Sequence, residues 1–139
     1  MGTVRVTVPG KPATGSFRFT RGGHKYTPDT VADWRAWVRL KVQQAVAEMI
    51  PKGYPVEVTI TILKPRPQSP KKPTPKVPCP WAWTQKPDVD NVNKPLFDAL
   101  KSVAFADDSQ VTDLHVRKRW GERAEVEIAI RAMTEEEFA

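Results

Sequence analysis

Four aspartates in the second half of the chain have the type and spacing that metal-assisted chemistry requires. Asp88 and Asp90 are two residues apart in the segment KPDVDN, and Asp107 and Asp108 follow about one helix length later. Carboxylates that converge without a compensating cation repel one another, so the group predicts a bound divalent ion. Oxygen ligands without cysteine favour Mg²⁺, with Mn²⁺ as a substitute, over zinc. Such an ion can hold a phosphate, activate a water molecule and neutralise a leaving oxygen.

The two pairs can meet only if the fold allows it. In an extended backbone alternate residues face the same side, so Asp88 and Asp90 would aim at one point while Val89 turns into the core. A helix of about 13 residues spans roughly 20 Å, so Asp107 and Asp108 reach the first pair only if the next strand returns alongside. The alternative is that the first pair are helix caps and the second pair is a solvated turn.

Charge is divided unevenly along the chain. Residues 1–87 carry 15 Lys or Arg against four carboxylates, whereas residues 88–139 carry seven against 12. A net charge of +6 suits a polyanionic partner such as nucleic acid. Acidic residues in such a protein are unexpected unless they bind metal. Lys94, four residues after Asp90, is placed to stabilise charge that develops on a phosphate.

Two basic segments are predicted to contact phosphates. Residues 11–26 contain three glycines and four basic residues, which predicts a mobile loop or ribbon. Residues 64–87 hold eight of the 14 prolines among lysines, which predicts an extended basic loop. Trp81 and Trp83 are expected to anchor this loop on the core, with stacking on DNA as the alternative. The candidate contacts, for which solubilising charge is the alternative, are Lys11, Arg18, Arg21, Lys25, Lys71, Lys72, Lys76, Arg117 and Arg119.

The elements that position these residues follow from hydropathy periodicity. Residues 3–8 and 56–62 alternate apolar and polar side chains, which predicts two half-buried strands. Thr27 and Pro28 have the character of a helix start, and an apolar stripe at three- and four-residue spacing continues to about Ile50. These segments predict the order strand, helix, strand before the proline-rich loop.

The second half repeats the alternation of helix and strand. A helix is predicted over 91–103, although Pro95 favours a start near Val92 or a kink. Residues 110–120 and 124–132 are predicted to form a hairpin, with Leu114 facing inward. The tail 133–139 is expected to fray.

Taken together, these elements predict an α+β fold. We expect a single domain over 1–139, with a small mixed sheet and two helices in the order β-α-β-loop-α-β-β. The single Cys79 cannot form an internal disulfide, which suits a reducing compartment. No apolar run approaches the roughly 20 residues of a membrane span, and the N-terminus has no signal-peptide pattern. A cytoplasmic location is therefore expected.

The string KPDVDNVNKPLFDAL, followed by FADDSQVTDLHVRKRW, resembles the RusA family of Holliday-junction resolvases. The family pattern of PDxDNxxK, DAL, DDxQ and a basic strand occurs in order, and the resemblance covers nearly the whole chain. Its motifs lie at 87–94, 98–100, 107–110 and 117–119, with GKP at 10–12, YTP at 26–28 and Trp34 also similar.

The resemblance implies a bacterial or phage-encoded homodimer that binds four-way junctions in DNA recombination and repair. It implies paired symmetric nicks with Mg²⁺ held by Asp88, Asp90 and Asp108, and Lys94 as a catalytic lysine. Asp107 is a further candidate ligand that could instead orient its turn. A two-fold dimer can present one cluster to each of two opposed strands. A non-catalytic nucleic-acid-binding module and a nuclease for other branched DNA are the alternatives.

Overall fold

The computed structural model describes residues 2–15, 18–26, 29–67 and 72–139. It confirms an α+β fold in which two helices accompany a four-stranded mixed sheet. The strands are β1 (Val4–Pro9), β2 (Arg18–Phe19), β3 (Lys25–Tyr26), β4 (Val56–Pro65), β5 (Val111–Gly121) and β6 (Glu125–Ala132). The helices are α1 (Asp29–Ala45) and α2 (Val89–Leu100), with short 3-10 helices at Asp108–Gln110 and Glu135–Phe138.

The main sheet has the strand order β1-β6-β4-β5. Strand β4 pairs parallel with β5 and antiparallel with β6, and β1 pairs antiparallel with β6. The predicted hairpin of the last two strands is therefore wrong, since β4 lies between them. Alternation reveals which face of a strand is apolar but not which strand is its neighbour. Leu114 pairs with the buried Val58 and so faces the helix side as expected, but it remains 42% exposed on the edge strand.

The core lies between one face of this sheet and the two helices. Alternate residues of β4 are fully buried, as predicted, and so are the apolar residues of α2 that the sequence indicated. The helix residues in this core are Trp34, Val38 and Val42 from α1, and Val92, Leu96, Ala99 and Leu100 from α2.

Helix α1 is shorter than its apolar stripe predicted. It ends at Ala45. Ile50 instead forms a β-bridge with Phe105, and the Ile50 N–H donates to the Ala104 carbonyl at 2.9 Å. Leaving the helix lets Ile50 become buried, whereas Met49 stays 42% exposed. The predicted start at Thr27 and Pro28 lies outside the described residues.

Helix α2 accommodates a proline in its interior. It begins at Val89 and ends at Leu100, earlier at both ends than predicted, with Pro95 buried inside it. Because Pro95 has no N–H, the carbonyl of Asn91 lacks its helical donor. The N–H of Gly15 donates to that carbonyl at 3.0 Å, so the loop after β1 takes the place of the missing helical bond.

The connecting segments differ in part from the prediction. Residues 18–26 form the antiparallel ribbon of β2 and β3, one of the two forms expected for this stretch. Strand β4 continues to Pro65, and the described residues 66–67 and 72–88 contain no helix or strand. The tail is not frayed, because Glu135–Phe138 form a 3-10 helix and Arg131 Nη2 lies 2.6 Å from Oε1 of Glu137. Among the described residues, no helix has both the length and the hydropathy to span a bilayer.

Candidate active site

Asp88 and Asp90 lie at the N-terminus of α2. Asp88 is the extended N-cap residue (φ −72°, ψ 147°), its side chain makes no capping bond, and Asp90 lies in the first turn. Both are exposed. Val89 is 39% exposed and does not enter the core, because the helix begins there and ends the strand-like alternation. The positive end of the helix dipole favours negative charge at this position.

The segment before Asp88 is fixed to β5 by a lysine to which the sequence analysis assigned no role. Lys118 Nζ donates to the carbonyls of Gln85 at 2.7 Å and Pro87 at 3.0 Å. Burial lowers the pKa of Lys118, while the nearby charge of Asp88 opposes that effect. The parity of β5 is the signal that could have identified Lys118, because it faces the opposite side from Arg117 and Arg119.

A cavity opens beside Asp88. It is lined by the loop after β1, by the first turns of α1 and by the start of α2, including Lys11, Trp34, Trp37, Lys86 and Asn91. Lys11, a predicted phosphate contact, therefore lines the same cavity as Asp88.

Asp107 and Asp108 lie in the turn before β5, where a buried glutamine holds the backbone. Gln110 is 6% exposed, and its Oε1 accepts from the N–H groups of Ala106 and Asp107, both at 2.9 Å. Its Nε2 donates to the carbonyls of Pro51 at 2.7 Å and Tyr54 at 3.0 Å. The D-x-x-Q spacing is that of a capping box, so the sequence contained a signal for this role.

The two adjacent aspartates have different surroundings. Asp107 Oδ1 accepts from the Ser109 N–H at 3.2 Å, so this side chain caps the 3-10 helix. Within the described chain, no donor reaches Oδ1 of Asp108, although that atom is buried. A buried acceptor without a donor is unfavourable unless a cation or water satisfies it. Asp108 therefore has the acceptor that a metal ion would satisfy, whereas Asp107 is already engaged.

The two ends of this candidate site are far apart within one chain. Strand β5 does contact α2, as the sequence analysis required. However, Asp108 precedes the start of β5 and the Asp88 segment is bonded to Lys118 near its end. Lys118 is seven positions after Val111, or ~23 Å along the strand. One chain therefore does not place Asp108 beside Asp88.

A second group of carboxylates lies on the sheet face away from the helices. Ligand atoms of Glu57, Asp113 and His115 all lie within 4.8 Å of one another in the described structure and could hold a metal ion. We call this group the open-face cluster. Arg131 Nε already donates to Glu57 Oε1 at 2.8 Å. Hydropathy alternation does not indicate that β4 and β5 are neighbours, so this cluster was not among the predicted sites.

The remaining predicted site residues are dispersed over the surface. Lys94 is exposed on α2, and Arg117 and Arg119 are exposed on the open face of the sheet, away from Lys118. Lys71 lies outside the described residues, and only the backbone of Arg18 is described, in β2. The other predicted contacts are exposed: Arg21, Lys25, Lys72 and Lys76.

Comparison of the chain with known proteins identifies a matching family and a relative. Residues 9–131 match the family described as endodeoxyribonuclease RusA. The uncharacterized protein YqaN of Bacillus subtilis (strain 168) is 34% identical over 143 residues, which cover 96% of this chain and 99% of YqaN. The family match includes both aspartate segments, both helices and three of the four strands of the main sheet, since all of β1 except Pro9 precedes it.

Proposed function

Because the chain belongs to the RusA family of endodeoxyribonucleases, we propose that it cuts four-way DNA junctions in a Mg²⁺-dependent reaction. The observation that carries the metal dependence is the buried oxygen of Asp108, which has no donor among the described residues. A divalent cation with oxygen ligands would satisfy it. Bulk solvent does not reach this oxygen, because it is buried.

Three aspartates fit the ion in charge and ligand type. Asp88, Asp90 and Asp108 would hold it, while Asp107 caps its turn. When bound, Mg²⁺ polarises the scissile phosphate and lowers the pKa of a water nucleophile. Lys94 is exposed on α2, four residues after Asp90, and supplies positive charge toward the phosphate.

The separation within one chain supports a homodimer. Lys118, near the C-terminal end of β5, is bonded to the segment before α2, so Asp88 and Asp90 lie near that end of the strand. Asp108 precedes β5 and lies at its opposite end. A second copy related by two-fold symmetry can bring its Asp108 to the first copy's Asp88 and Asp90. A two-fold contact creates two such sites at once, which matches paired nicks in the two opposed strands of a junction.

Junction binding rests on the basic surface. Lys11 shares the cavity with Asp88, and Arg21, Lys25, Lys72 and Lys76 present exposed charge. Binding through phosphates should weaken steeply with salt. Arg117 and Arg119 face away from Lys118, so they contribute to binding at the aspartate site only if the DNA wraps past the sheet edge.

A nicking assay on a synthetic four-way junction tests the activity. We expect the wild type to nick two opposed strands in Mg²⁺, and Asp90→Asn to abolish nicking while retaining junction binding, because the basic surface is intact. Flapped and linear duplexes of the same sequence serve as controls. Equal cleavage of flaps would favour a general branched-DNA nuclease, and no cleavage with intact binding would favour a non-catalytic module.

Mixing two inactive variants tests the dimeric site. In a dimer of Asp90→Asn with Asp108→Asn, one composite site carries both substitutions and the other carries neither. Random pairing should therefore restore about one quarter of the wild-type site activity. If each site were formed within a single chain, both sites of the mixed dimer would be inactive, and nicking would not recover.

A further inference from the structure

Lys118 connects the end of β5 to the segment that leads into Asp88. We propose that Lys118 is a positioning residue for Asp88, because its ammonium fixes the two backbone carbonyls that precede this aspartate. The inference rests on the proposed function, since it concerns the same metal site. It assigns Lys118 an indirect role, separate from metal ligation and from phosphate contact.

The location of Lys118 in β5 determines which way its side chain points. Lys118 pairs with Ile62 of β4, which is fully buried, so both face the helix side of the sheet. Its neighbours Arg117 and Arg119 are exposed on the opposite face. Among these three consecutive basic residues, only Lys118 is directed toward the Asp88 segment.

Two short hydrogen bonds define the contact. Lys118 Nζ donates to the Gln85 carbonyl at 2.7 Å and to the Pro87 carbonyl at 3.0 Å. Hydrogen bonds from a charged donor are about twice as strong as neutral ones. The two carbonyls are two residues apart, and the second belongs to the residue immediately before Asp88. The ammonium therefore restrains the backbone at the point where α2 begins.

Aromatic packing holds the same segment against β5. Trp83 is 6% exposed, and Lys118 Nζ lies 4.9 Å from its ring centroid. Trp83 stacks on Trp120 of β5 with centroids 5.9 Å apart, and Trp120 Nε1 donates to the Pro80 carbonyl at 3.2 Å. Residues 80–87 are thus bound to β5 at several points, and Lys118 is the contact nearest Asp88.

The ammonium of Lys118 also interacts electrostatically with the Asp88 carboxylate. Burial lowers the pKa of Lys118 and outweighs the opposite effect of the Asp88 carboxylate. Because this ammonium would also repel a divalent cation, the proposed effect on metal affinity comes from its hydrogen bonds and not from its charge. Groups that orient metal ligands in this way typically change metal affinity or activity by 10–100-fold when removed.

Lys64 is a natural control for this lysine. Its Nζ lies 5.5 Å from the centroid of the same Trp83 ring, so it shares the cation–π environment and the positive charge. Its replacement by methionine removes one ammonium from above Trp83 but leaves the Lys118 bonds to the Gln85 and Pro87 carbonyls in place.

The test compares Lys118→Met with Lys64→Met by titration calorimetry with Mn²⁺ and by junction binding without divalent ions. We expect Lys118→Met to weaken Mn²⁺ binding roughly 10- to 100-fold, with junction affinity unchanged within about threefold. Lys64→Met should leave Mn²⁺ affinity within about threefold of the wild type. Lys118→Gln keeps an N–H donor for one carbonyl and provides a milder variant if Lys118→Met does not fold; it should weaken Mn²⁺ binding about fivefold or more.

The outcomes separate the two proposals. If the wild type nicks junctions and binds Mn²⁺ but a folded Lys118 variant binds Mn²⁺ equally well, the positioning role is wrong and the proposed function stands. Equal losses of metal and junction affinity would show a general structural role and would also overturn the inference. If the wild type neither binds Mn²⁺ nor nicks junctions, the proposed function fails, and the inference fails with it.

Discussion

Asp108 and the open-face cluster lie near the same end of β5, yet they differ in what neutralises their carboxylates. In the cluster, Glu57 accepts from Arg131, and that arginine also lies 2.6 Å from Glu137. Hydrogen bonds to Glu137 and Glu57 raise the pKa of Arg131 above its ordinary value. The buried oxygen of Asp108, in contrast, has no donor in the described structure. The cluster therefore contains its own cation, whereas the buried oxygen of Asp108 has no partner among the described residues.

This difference shows why close spacing of ligand atoms is a weak indicator of a metal site. The open-face cluster satisfies the distance criterion, but its glutamate is already paired with an arginine. The aspartates do not come together within one chain, but Asp108 contains the unfavourable feature that a bound ion would remove. The comparison therefore favours the dispersed aspartates over the compact cluster as the catalytic metal site.

The largest expected effect is on the nicking rate, and it distinguishes Asp108 from the open-face cluster. Asp108→Asn should reduce junction nicking by at least about 100-fold, since even the partners of metal ligands contribute 10–100-fold. Asp113→Asn removes one carboxylate from the open-face cluster and should leave nicking within about threefold of the wild type. Single-turnover nicking rates at saturating Mg²⁺ provide the measurement.

A matched control lies next to Asp108 in the chain. Asp107→Asn retains a side chain that caps helices well, so the turn should remain folded. Its nicking rate should stay close to that of the wild type. A loss as large as that of Asp108→Asn would show that Asp107 is a ligand. Preserved nicking in Asp108→Asn would instead favour the open-face cluster as the metal site.

Much of the fold could be predicted from the sequence because the decisive patterns are local. Alternation identified the buried face of β4, and helical spacing identified Val92, Leu96 and Ala99 as core residues of α2. The order of strands in the sheet depends on contacts between distant segments, which alternation does not encode. The false hairpin and the missed open-face cluster both follow from that single unknown.

The candidate site was predictable in its residues but not in its assembly. The motifs identified both aspartate segments, yet the distance from Asp108 to Asp88 depends on which end of β5 meets the start of α2. Lys118 was overlooked because its role depends on the path of the proline-rich loop. Of the two tryptophans expected to anchor that loop, Trp83 does so, whereas Trp81 is 72% exposed.

The buried glutamine that holds the turn before β5 should contribute measurably to the free energy of unfolding. Gln110→Ala should lower the free energy of unfolding by roughly 2–4 kcal/mol, because it leaves several buried backbone groups without partners. Urea denaturation measures this loss. Ser109→Ala, in the same 3-10 helix but exposed, should change stability by less than about 0.5 kcal/mol. Similar values for the two variants would contradict the role assigned to the glutamine amide.

A smaller, local effect on amide exchange is expected from a substitution at Pro95, in the helix that begins after Asp88. Pro95→Ala supplies an N–H that competes with Gly15 for the Asn91 carbonyl. A neutral hydrogen bond contributes about 1 kcal/mol, so amide exchange at Gly15 should accelerate about fivefold. The Gly10 N–H donates to the Ala124 carbonyl at 3.0 Å in the same loop and should keep its exchange rate. Equal acceleration at both glycines would indicate loosening of the whole loop.

The smallest expected effect concerns the cation that the open-face cluster already contains. Hydrogen bonds from Arg131 and from the Thr134 N–H lower the pKa of Glu137. A lowered pKa in the folded state means that the ion pair stabilises the fold above the unfolded value of about 4.3 and is lost as the pH falls through the folded value. Glu137→Gln should therefore lower the melting temperature at pH 7 and converge with the wild type in acid. Glu136→Gln removes the same charge from the same turn, so a matching pH dependence in that variant would rule out a specific pair with Arg131.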